Sequence, residues 1–235
     1  PESGKTLIVD PGQARPVLDY LSDSGFSADT ILITHHHQDH TGGLATLIQR
    51  YSPRVIGPDN PTIQGIDERV GDGDQVRIMG RLFEVMATPG HTLDHISYFT
   101  AGIPALLFCG DTLFCAGCGR LFEGTPEQMF SSLNRLAELP EDTLVFAAHE
   151  YTQANLAFAR AADPENDAVT HALQECEKAR ALDRPTLPST IGRELTINPY
   201  LRVGTDSVRQ AAGTQGDNHD ELATFTTLRE WKNRF

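Results

Sequence analysis

Cysteine is scarce in this 235-residue chain, with only four residues, at positions 109, 115, 118 and 176. They are too few and too unevenly spaced to form a disulfide framework in a chain of this length. No signal peptide is visible at the start of the sequence. Together these two features predict a cytoplasmic protein. Cys115 and Cys118 form a C-x-x-C pair, but a second pair that could complete a zinc knuckle is missing, so we interpret both as loop residues.

Basic residues and long apolar runs are also scarce. The chain has 19 Lys and Arg against 32 Asp and Glu, a net charge of -13, which argues against a nucleic-acid or anionic-membrane partner. Local cations in a cleft would still suit a small anionic substrate. Since no apolar run approaches the ~18 residues of a membrane span, we expect no membrane partner. We expect a monomer and leave a dimer open.

The residues that are present are typical of a globular protein, with 39% hydrophobic and 22% charged residues. Short apolar runs alternate with turn signals in the first part: Thr30–Thr34 predicts a buried strand, and Gln75–Thr88 predicts a hairpin that turns at Gly80. Thr125, followed by Pro126 and Gln128, predicts a capped helix start. After about Tyr151 helical periodicity prevails. We therefore predict a mixed α/β domain over 1–153 and a helical domain over 154–235.

The motif "THHHQDH", residues 34–40, follows the predicted strand at Thr30–Thr34 directly. If the chain stays extended, His35, His37 and Asp39 project to one side and His36 to the other. The glycines at 42 and 43 would let the backbone turn and bring His40 to the same region. A lone histidine at a strand end is usually a structural residue, but H-x-H-x-D-H after an apolar strand predicts a metal site.

Three further side chains follow other apolar strands or turns: His91, Asp111 and His149. Strand-end loops commonly carry functional groups because the sheet fixes their positions. Five histidines and two aspartates exceed the needs of one tetrahedral zinc and suit two ions that share a carboxylate. Zinc, iron and manganese all accept this donor set. We do not expect the remaining histidines, His36, His95, His171 and His219, to be ligands, although His95 could orient one.

Several motifs together resemble the glyoxalase II (hydroxyacylglutathione hydrolase) family of the metallo-β-lactamase superfamily. They are "THHHQDHTGG", "TPGHTLDH", "FCGDTLFCAGCGRLFEGT", "AHEYTQANLAFA", "INPYLR" and "LREWKNRF", and they cover nearly the whole chain. The resemblance implies an αββα sandwich followed by a small C-terminal all-helical domain that helps to bind glutathione. It also implies that a first strand of the family fold is lacking ahead of residue 1.

Carried over by motif, the resemblance implies specific ligands for two divalent ions, zinc first, with iron or manganese as alternatives. His35, His37 and His91 would hold one ion, Asp39, His40 and His149 the other, and Asp111 would bridge them. The two carboxylates, Asp39 and Asp111, would also take part in catalysis. The implied substrate-binding residues are Arg120, Phe122, Tyr151, Arg229 and Lys232.

Two positions depart from the family pattern. Phe122 stands where many relatives have Tyr, so one hydroxyl contact is missing, and Asp94 stands where Gly is usual. The spacing of Arg229 and Lys232 alone indicates two residues on a solvent-exposed face of the last helix. Only the resemblance implies that they bind substrate.

The implied reaction is hydrolysis of S-D-lactoylglutathione to D-lactate and glutathione by a metal-bridging hydroxide. It is the second step of methylglyoxal detoxification. Two alternatives remain. One is a mononuclear-iron persulfide dioxygenase of the same superfamily, which would not need Asp39, His40 and His149 as ligands. The other is a non-catalytic, metal-stabilised binding module, although structural zinc sites are usually closed sets of four ligands.

Overall fold

The computed structural model describes residues 4–214 and 220–235. The chain divides into two compact units, of which unit 1 comprises residues 1–87 and 94–101, and unit 2 comprises residues 88–93 and 102–235. Among the described residues, the structure contains no helix long and apolar enough to cross a membrane. The predicted domain division at residue 153 stays a prediction, and His219 lies outside the described residues.

Unit 1 consists of a parallel sheet with helices and an antiparallel meander. Strands β1 to β4 form the parallel sheet in the order β1-β2-β3-β4, and β5, β6 and β7 form the meander. The elements are β1 (Lys5–Val9), α1 (Ala14–Ser24), β2 (Ser27–Leu32), α2 (Gln38–Thr41), α3 (Leu44–Tyr51), β3 (Arg54–Pro58), β4 (Glu68–Val70), β5 (Gln75–Ile78), β6 (Arg81–Ala87) and β7 (Ile96–Thr100).

The core of unit 1 anchors the segment that leads into the histidine motif. Ile31 on β2 pairs with Val55 on β3, and both are fully buried beside Leu47 of α3. Burial of such aliphatic side chains contributes roughly 1.5 to 3 kcal/mol each. From β7, the Tyr98 hydroxyl donates a hydrogen bond to Ile33 O at 2.9 Å. The segment that leads into the histidine motif is thus anchored to two strands.

Unit 2 combines a few short strands with most of the helices. Strand β8 pairs in parallel with β11, β11 pairs with β12, and β9 and β10 form a small hairpin. The elements are β8 (Leu106–Phe108), β9 (Leu113–Phe114), β10 (Gly117–Cys118), α4 (Pro126–Ala137), β11 (Leu144–Phe146), α5 (Thr152–Ala162), α6 (Asp167–Ala181), β12 (Ser189–Thr190), α7 (Ile191–Ile197), α8 (Asp206–Ala212) and α9 (Glu221–Lys232).

Several local expectations are confirmed. Gly80 turns the hairpin with φ 83°, and Thr125 caps α4 in a capping box with Gln128. The strand expected over Thr30–Thr34 starts earlier and ends at Leu32, because Ile33 and Thr34 bond to β3 and β7 outside the regular ladder. Helices α2 and α8 are short, which is why periodicity did not reveal them.

Candidate metal centre and substrate pocket

In unit 1 the histidine motif brings four predicted ligands together: His35, His37, Asp39 and His40, here called donor set 1. The chain does not stay extended throughout, because Asp39 and His40 lie on the short helix α2, for which His37 is the N-cap. His35 Nε2 lies 3.1 Å from His37 Nδ1, and His40 Nε2 lies 3.9 Å from Asp39 Oδ2. These two pairs adjoin each other, because the rings of His35 and His40 have centroids 4.0 Å apart.

The glycines after the motif act through close packing, and the expectation of a sharp turn needs correction. Gly42 has φ -62° and Gly43 has φ -86°, both ordinary helical values. A Cβ at Gly43 would lie 2.6 Å from Pro11 O, and a Cβ at Gly42 would lie 2.6 Å from Gly12 O. Only glycine lets these two backbone segments approach each other so closely.

Asp10, which the sequence analysis missed, orders the protons of donor set 1. Its carboxylate accepts hydrogen bonds from Thr34 N at 2.8 Å, Thr34 Oγ1 at 2.7 Å and His40 Nδ1 at 3.0 Å. Because the Thr34 hydroxyl proton points to Asp10, its oxygen accepts from His35 Nδ1 at 3.0 Å. Both histidines thereby carry their proton on Nδ1 and present the lone pair of Nε2, through which each of them can bind a metal. The only feature of the sequence that could have identified Asp10 is its position before a Pro-Gly turn.

Two other histidines of unit 1, His36 and His95, which we do not expect to be ligands, also have close side-chain contacts. His36 Nδ1 lies 2.9 Å from Asp94 Oδ1, and Asp94 Oδ2 accepts from Asn60 Nδ2 at 2.7 Å. Asp94 therefore links the histidine motif to the loop after β3, a contact that glycine could not make. His95 is buried and stacks on His35, with ring centroids 4.9 Å apart.

In unit 2 the three later predicted ligands come together as donor set 2: His91, Asp111 and His149. Strands β8 and β11 are parallel, and Phe108 pairs with Phe146. Asp111 and His149 each follow three residues later, so they emerge at the same end of adjacent strands. His91 Nε2 lies 3.4 Å from Asp111 Oδ2, and His149 Nε2 lies 3.5 Å from Asp111 Oδ1. One carboxylate oxygen thus faces each histidine.

The tautomer of His91 is also set. Its Nδ1 lies 2.7 Å from the backbone carbonyl oxygen of Arg120, which can only accept, so the proton is on Nδ1 and the lone pair on Nε2. His91 is buried. The segment that carries it is fixed within unit 2, because Phe122 N donates to His91 O at 3.2 Å.

Both donor sets suit divalent metal ions. Two ligand atoms of a tetrahedral zinc, each about 2.0 to 2.1 Å from the ion, are roughly 3.3 to 3.4 Å apart. The four separations within the sets, 3.1, 3.9, 3.4 and 3.5 Å, lie around this value. Imidazole nitrogens and carboxylate oxygens are ligands for zinc, iron and manganese alike.

A pocket of about 210 Å³ in unit 2 collects most of the predicted substrate residues. Tyr151 connects it to donor set 2, since its ring stacks on His149 with centroids 5.1 Å apart. Phe122 does not line the pocket; it is 61% exposed and lies beneath the Arg120 guanidinium at 5.6 Å. The predicted residues in the lining are Arg120, Tyr151, Arg229 and Lys232.

The two cations of α9 are not on a solvated face. Arg229 is 7% exposed and donates through Nη1 to Cys118 O at 2.9 Å. Lys232 donates through Nζ to Ala154 O at 2.9 Å. Burial, followed by the charge of Arg229, lowers the pKa of Lys232 from its ordinary 10.5. Arg229 therefore braces the pocket wall, and Lys232 is the more accessible charge.

Comparisons with known proteins show the family to which the chain belongs. A sequence model of the metallo-beta-lactamase superfamily matches residues 2–149, more than half of the chain. The fold and its histidine and aspartate donors thus define a member of that superfamily.

A second model, described as hydroxyacylglutathione hydrolase C-terminus, matches residues 150–235. Hydroxyacylglutathione hydrolase of Chromohalobacter salexigens is 63% identical, over 99% of this chain and 91% of that protein. Hydroxyacylglutathione hydrolase of Vibrio cholerae is 50% identical, over 97% of this chain and 90% of that protein. The chain belongs to the hydroxyacylglutathione hydrolase family.

Solved structures agree on the fold. The chain resembles ETHE1 from Myxococcus xanthus with a TM-score of 0.63 and 26% identity, over 94% of this chain and 78% of that one. It resembles the BLEG-1 B3 metallo-beta-lactamase with a TM-score of 0.65 and 23% identity, over 86% of this chain and 90% of that one, which shows the fold alone. The predicted fold class, a metallo-β-lactamase fold with a helical C-terminal domain, is confirmed.

Proposed function

We propose that this chain is a thioester hydrolase that converts S-D-lactoylglutathione and related 2-hydroxyacylglutathione thioesters to the 2-hydroxy acid and glutathione. The observation that carries the proposal is the arrangement within unit 2. There, Asp111 lies between His91 and His149, and Tyr151 leads from His149 to a cationic pocket. Relatives that are 50% to 63% identical over nearly their full length are hydroxyacylglutathione hydrolases. The reaction is the second step of methylglyoxal detoxification.

The metal part of the proposal assigns the seven donors to two divalent ions. His35, His37 and His91 would hold one ion, Asp39, His40 and His149 would hold the other, and Asp111 would offer one carboxylate oxygen to each. The two separate oxygen contacts of Asp111 support its bridging role. When bound, such ions supply a hydroxide at neutral pH and stabilise developing negative charge. Zinc is the metal that we favour for both ions, and iron and manganese are the alternatives.

The chain's own residues prepare this chemistry. Asp10 holds His35 and His40 in the tautomer that presents Nε2. Asp111 and Asp39 supply the carboxylates that orient the attacking water. Thiolate is a good leaving group, so the reaction does not require a dedicated general acid.

The pocket in unit 2 is proposed to bind the glutathione part of the substrate, whose carboxylates need cations. Arg120 and Lys232 supply accessible positive charge, and Arg229 adds charge while it holds Cys118 O. Tyr151 supplies a ring and a hydroxyl beside His149. Phe122 offers only its ring, near His91 at 5.2 Å. In this proposal the helical part, residues 154–235, is the glutathione-binding domain, and the protein is a cytoplasmic monomer.

The two alternatives are less well supported. A mononuclear-iron dioxygenase would leave Asp39, His40 and His149 without a ligand role, although Asp10 holds His40 in the tautomer that presents the lone pair of Nε2. A non-catalytic metal-stabilised module would not need a cationic pocket next to the donors. The near-full-length relatives are hydrolases.

The test is hydrolysis of S-D-lactoylglutathione by metal-replete protein, followed through loss of thioester absorbance, with the metal content measured on the same sample. D-lactoyl-N-acetylcysteamine, which lacks the γ-glutamyl and glycyl parts, is the matched control substrate. We expect rapid turnover of the glutathione thioester and a much larger KM for the control. Absence of turnover with two ions bound per chain would refute the proposed activity.

A further inference from the structure

The β9–β10 hairpin forms one wall of the substrate pocket through Phe114 and Cys118. Its two strands are joined by Cys115 and Ala116, and Ala116 has φ 54°. A positive φ is unfavourable for a residue with a Cβ and persists only where surrounding contacts enforce it. The hairpin is short, so its own two residue pairs cannot supply those contacts.

A buried carboxylate supplies one of them. Glu194 of α7 is fully buried, and its Oε2 accepts from Ala116 N at 2.8 Å and from Asn198 Nδ2 at 3.0 Å. The Ser189 hydroxyl donates to Oε1. Burial raises the pKa of Glu194, and these hydrogen bonds oppose the rise. A buried carboxylate is costly unless it is hydrogen-bonded on both oxygens, as it is here.

Two asparagines extend the same network along the hairpin. Asn198 Nδ2 also lies within hydrogen-bond distance of Gly117 O, at 2.9 Å, and of Phe114 O, at 3.2 Å. Asn155 Nδ2 donates to Cys115 O at 3.1 Å. The two asparagine side chains thus contact backbone carbonyls of the hairpin and its turn. Glu194 accepts from the amide of Ala116, the residue with the positive φ.

On the pocket side, Arg229 Nη1 donates to Cys118 O at 2.9 Å. The hairpin is therefore held between the buried network and a cation that lines the pocket. A shift of the hairpin would move Phe114 and Cys118 and would also displace the Arg229 guanidinium. Of the network's polar side chains, Asn155 also lines the pocket, whereas Glu194, Asn198 and Ser189 do not.

We infer that Glu194, together with Asn198, is a positioning residue for the glutathione pocket: it fixes the β9–β10 hairpin and, through it, Arg229. The inference rests on the proposed function, because it identifies the pocket as the glutathione site. Glu194 does not touch the donors of unit 2 in any described contact. Its loss should therefore affect substrate binding and leave the chemical step and the metal content nearly unchanged.

The test compares Glu194→Leu, which keeps the volume but removes both acceptors, with Glu194→Gln. Glutamine can accept from Ala116 N and Asn198 through its amide oxygen and donate to Ser189 Oγ through its amide nitrogen. For Glu194→Leu we expect KM for S-D-lactoylglutathione to rise about tenfold, with kcat and metal content within about twofold of the wild type. Glu194→Gln should restore KM.

A purely structural role would give a different pattern. It would lower thermal stability and the active fraction, and so kcat, while KM of the remaining folded enzyme stayed unchanged; that result would overturn the inference. If Glu194→Leu does not fold, Asn198→Ala removes the bonds to the Phe114 and Gly117 carbonyls and should raise KM in the same way.

Equilibrium binding separates this inference from the proposed activity. S-hexylglutathione is a thioether that cannot be hydrolysed, and calorimetry measures its Kd on the metal-replete protein. Weaker binding by about tenfold in Glu194→Leu would support the positioning role even if the wild type showed no turnover. Equal Kd values in wild type and variant would refute the role while leaving the hydrolase activity in place. If the wild type turned over S-D-lactoylglutathione but did not bind S-hexylglutathione, the identification of the pocket as the glutathione site, and with it the positioning role, would be wrong.

Discussion

Asp111 is the residue on which the proposed metal centre depends most. Its side chain is almost fully buried, and its two oxygens lie 3.4 and 3.5 Å from the Nε2 atoms of His91 and His149. Because the proton of His91 is on Nδ1, its Nε2 faces the carboxylate with a lone pair, and a cation between the two groups would be attracted by both. The geometry therefore favours an ion on each side of the carboxylate.

We predict that Asp111→Asn loses at least one of the two metal ions and lowers kcat by roughly 10³-fold or more. An amide has one acceptor atom and no negative charge, so it cannot bridge two cations. Metal content by mass spectrometry and thioester hydrolysis check the prediction. Asp94→Asn is the matched control: Asp94 bonds His36 and Asn60 and should keep both ions. Two ions and normal turnover in Asp111→Asn would contradict the bridging role.

Lys232 gives the pocket a pH-dependent charge. Its pKa is lowered from 10.5 mainly by burial and secondly by Arg229, while Cys118 acts in the opposite direction. The ammonium group lies over the rings of Phe158 and Phe235 at 5.1 and 5.5 Å. Deprotonation removes its attraction for a substrate carboxylate, so binding should weaken as pH rises.

We therefore predict that KM rises with increasing pH, beginning below pH 10.5. Lys232→Arg should keep KM constant over the same interval, because arginine stays protonated there. Lys232→Met should have a high KM that does not change with pH. Steady-state kinetics at constant ionic strength measure all three profiles, and a flat profile for the wild type would exclude Lys232 from carboxylate binding. Lys232 is a cleaner target than Arg229, whose removal would also release Cys118 O.

Among the elements, parallel strand pairing contributes most to the site. The pairing of Phe108 with Phe146 sets the register of β8 and β11, and with it the distance between Asp111 and His149. A slip of one residue would turn every side chain of a strand to the opposite face. The buried Leu107 and Val145, which pair with each other in the same ladder, oppose such a slip.

Helix α4 allows a test of stability at the scale of one element. Thr125 Oγ1 accepts from Gln128 N at 3.3 Å, and Gln128 Oε1 accepts from Thr125 N at 2.9 Å. We predict that Thr125→Ala lowers the free energy of unfolding by about 1 kcal/mol, because the first-turn amide of Gln128 loses its acceptor. Urea unfolding measures the change, and Thr125→Ser should retain wild-type stability. An alanine variant as stable as the wild type would show that the box contributes nothing here.

On the scale of the whole molecule, a strongly acidic protein carries a local cationic pocket. The net charge is -13, yet Arg120, Arg229 and Lys232 all line one pocket in unit 2. Net charge describes the long-range field and solubility, whereas binding depends on the groups within a few ångströms. An acidic chain can thus bind an anionic substrate.

Metal binding should also stabilise the molecule as a whole. A ligand that binds only the folded state at 1,000 times its Kd adds about 4 kcal/mol of stability. We predict that a strong chelator removes about two ions per chain, abolishes turnover and lowers Tm by several degrees, and that added zinc reverses all three effects. Differential scanning calorimetry and metal analysis follow the cycle. Asp111→Asn should show a smaller chelator effect, and a Tm insensitive to chelation in the wild type would argue against a buried centre.

The sequence by itself determined what is local. H-x-H-x-D-H after an apolar run, the capping box at Thr125 and the hairpin at Gly80 depend on neighbours along the chain, and periodicity and residue type carry that information. The family motifs in turn indicated the fold and the hydrolase function. The local elements and the family motifs can be recognised from short stretches of sequence, without knowledge of how the chain packs.

The tertiary structure alone decided how distant residues support those motifs. Asp10 reaches His40, Asp94 reaches His36, and Glu194 reaches Ala116, across 30, 58 and 78 positions of the chain. Arg229 has helical spacing that fits a solvated face, yet it is buried against Cys118 O. A lone aspartate, glutamate or arginine carries no signal in one sequence, because its partner is chosen by the fold and not by its neighbours.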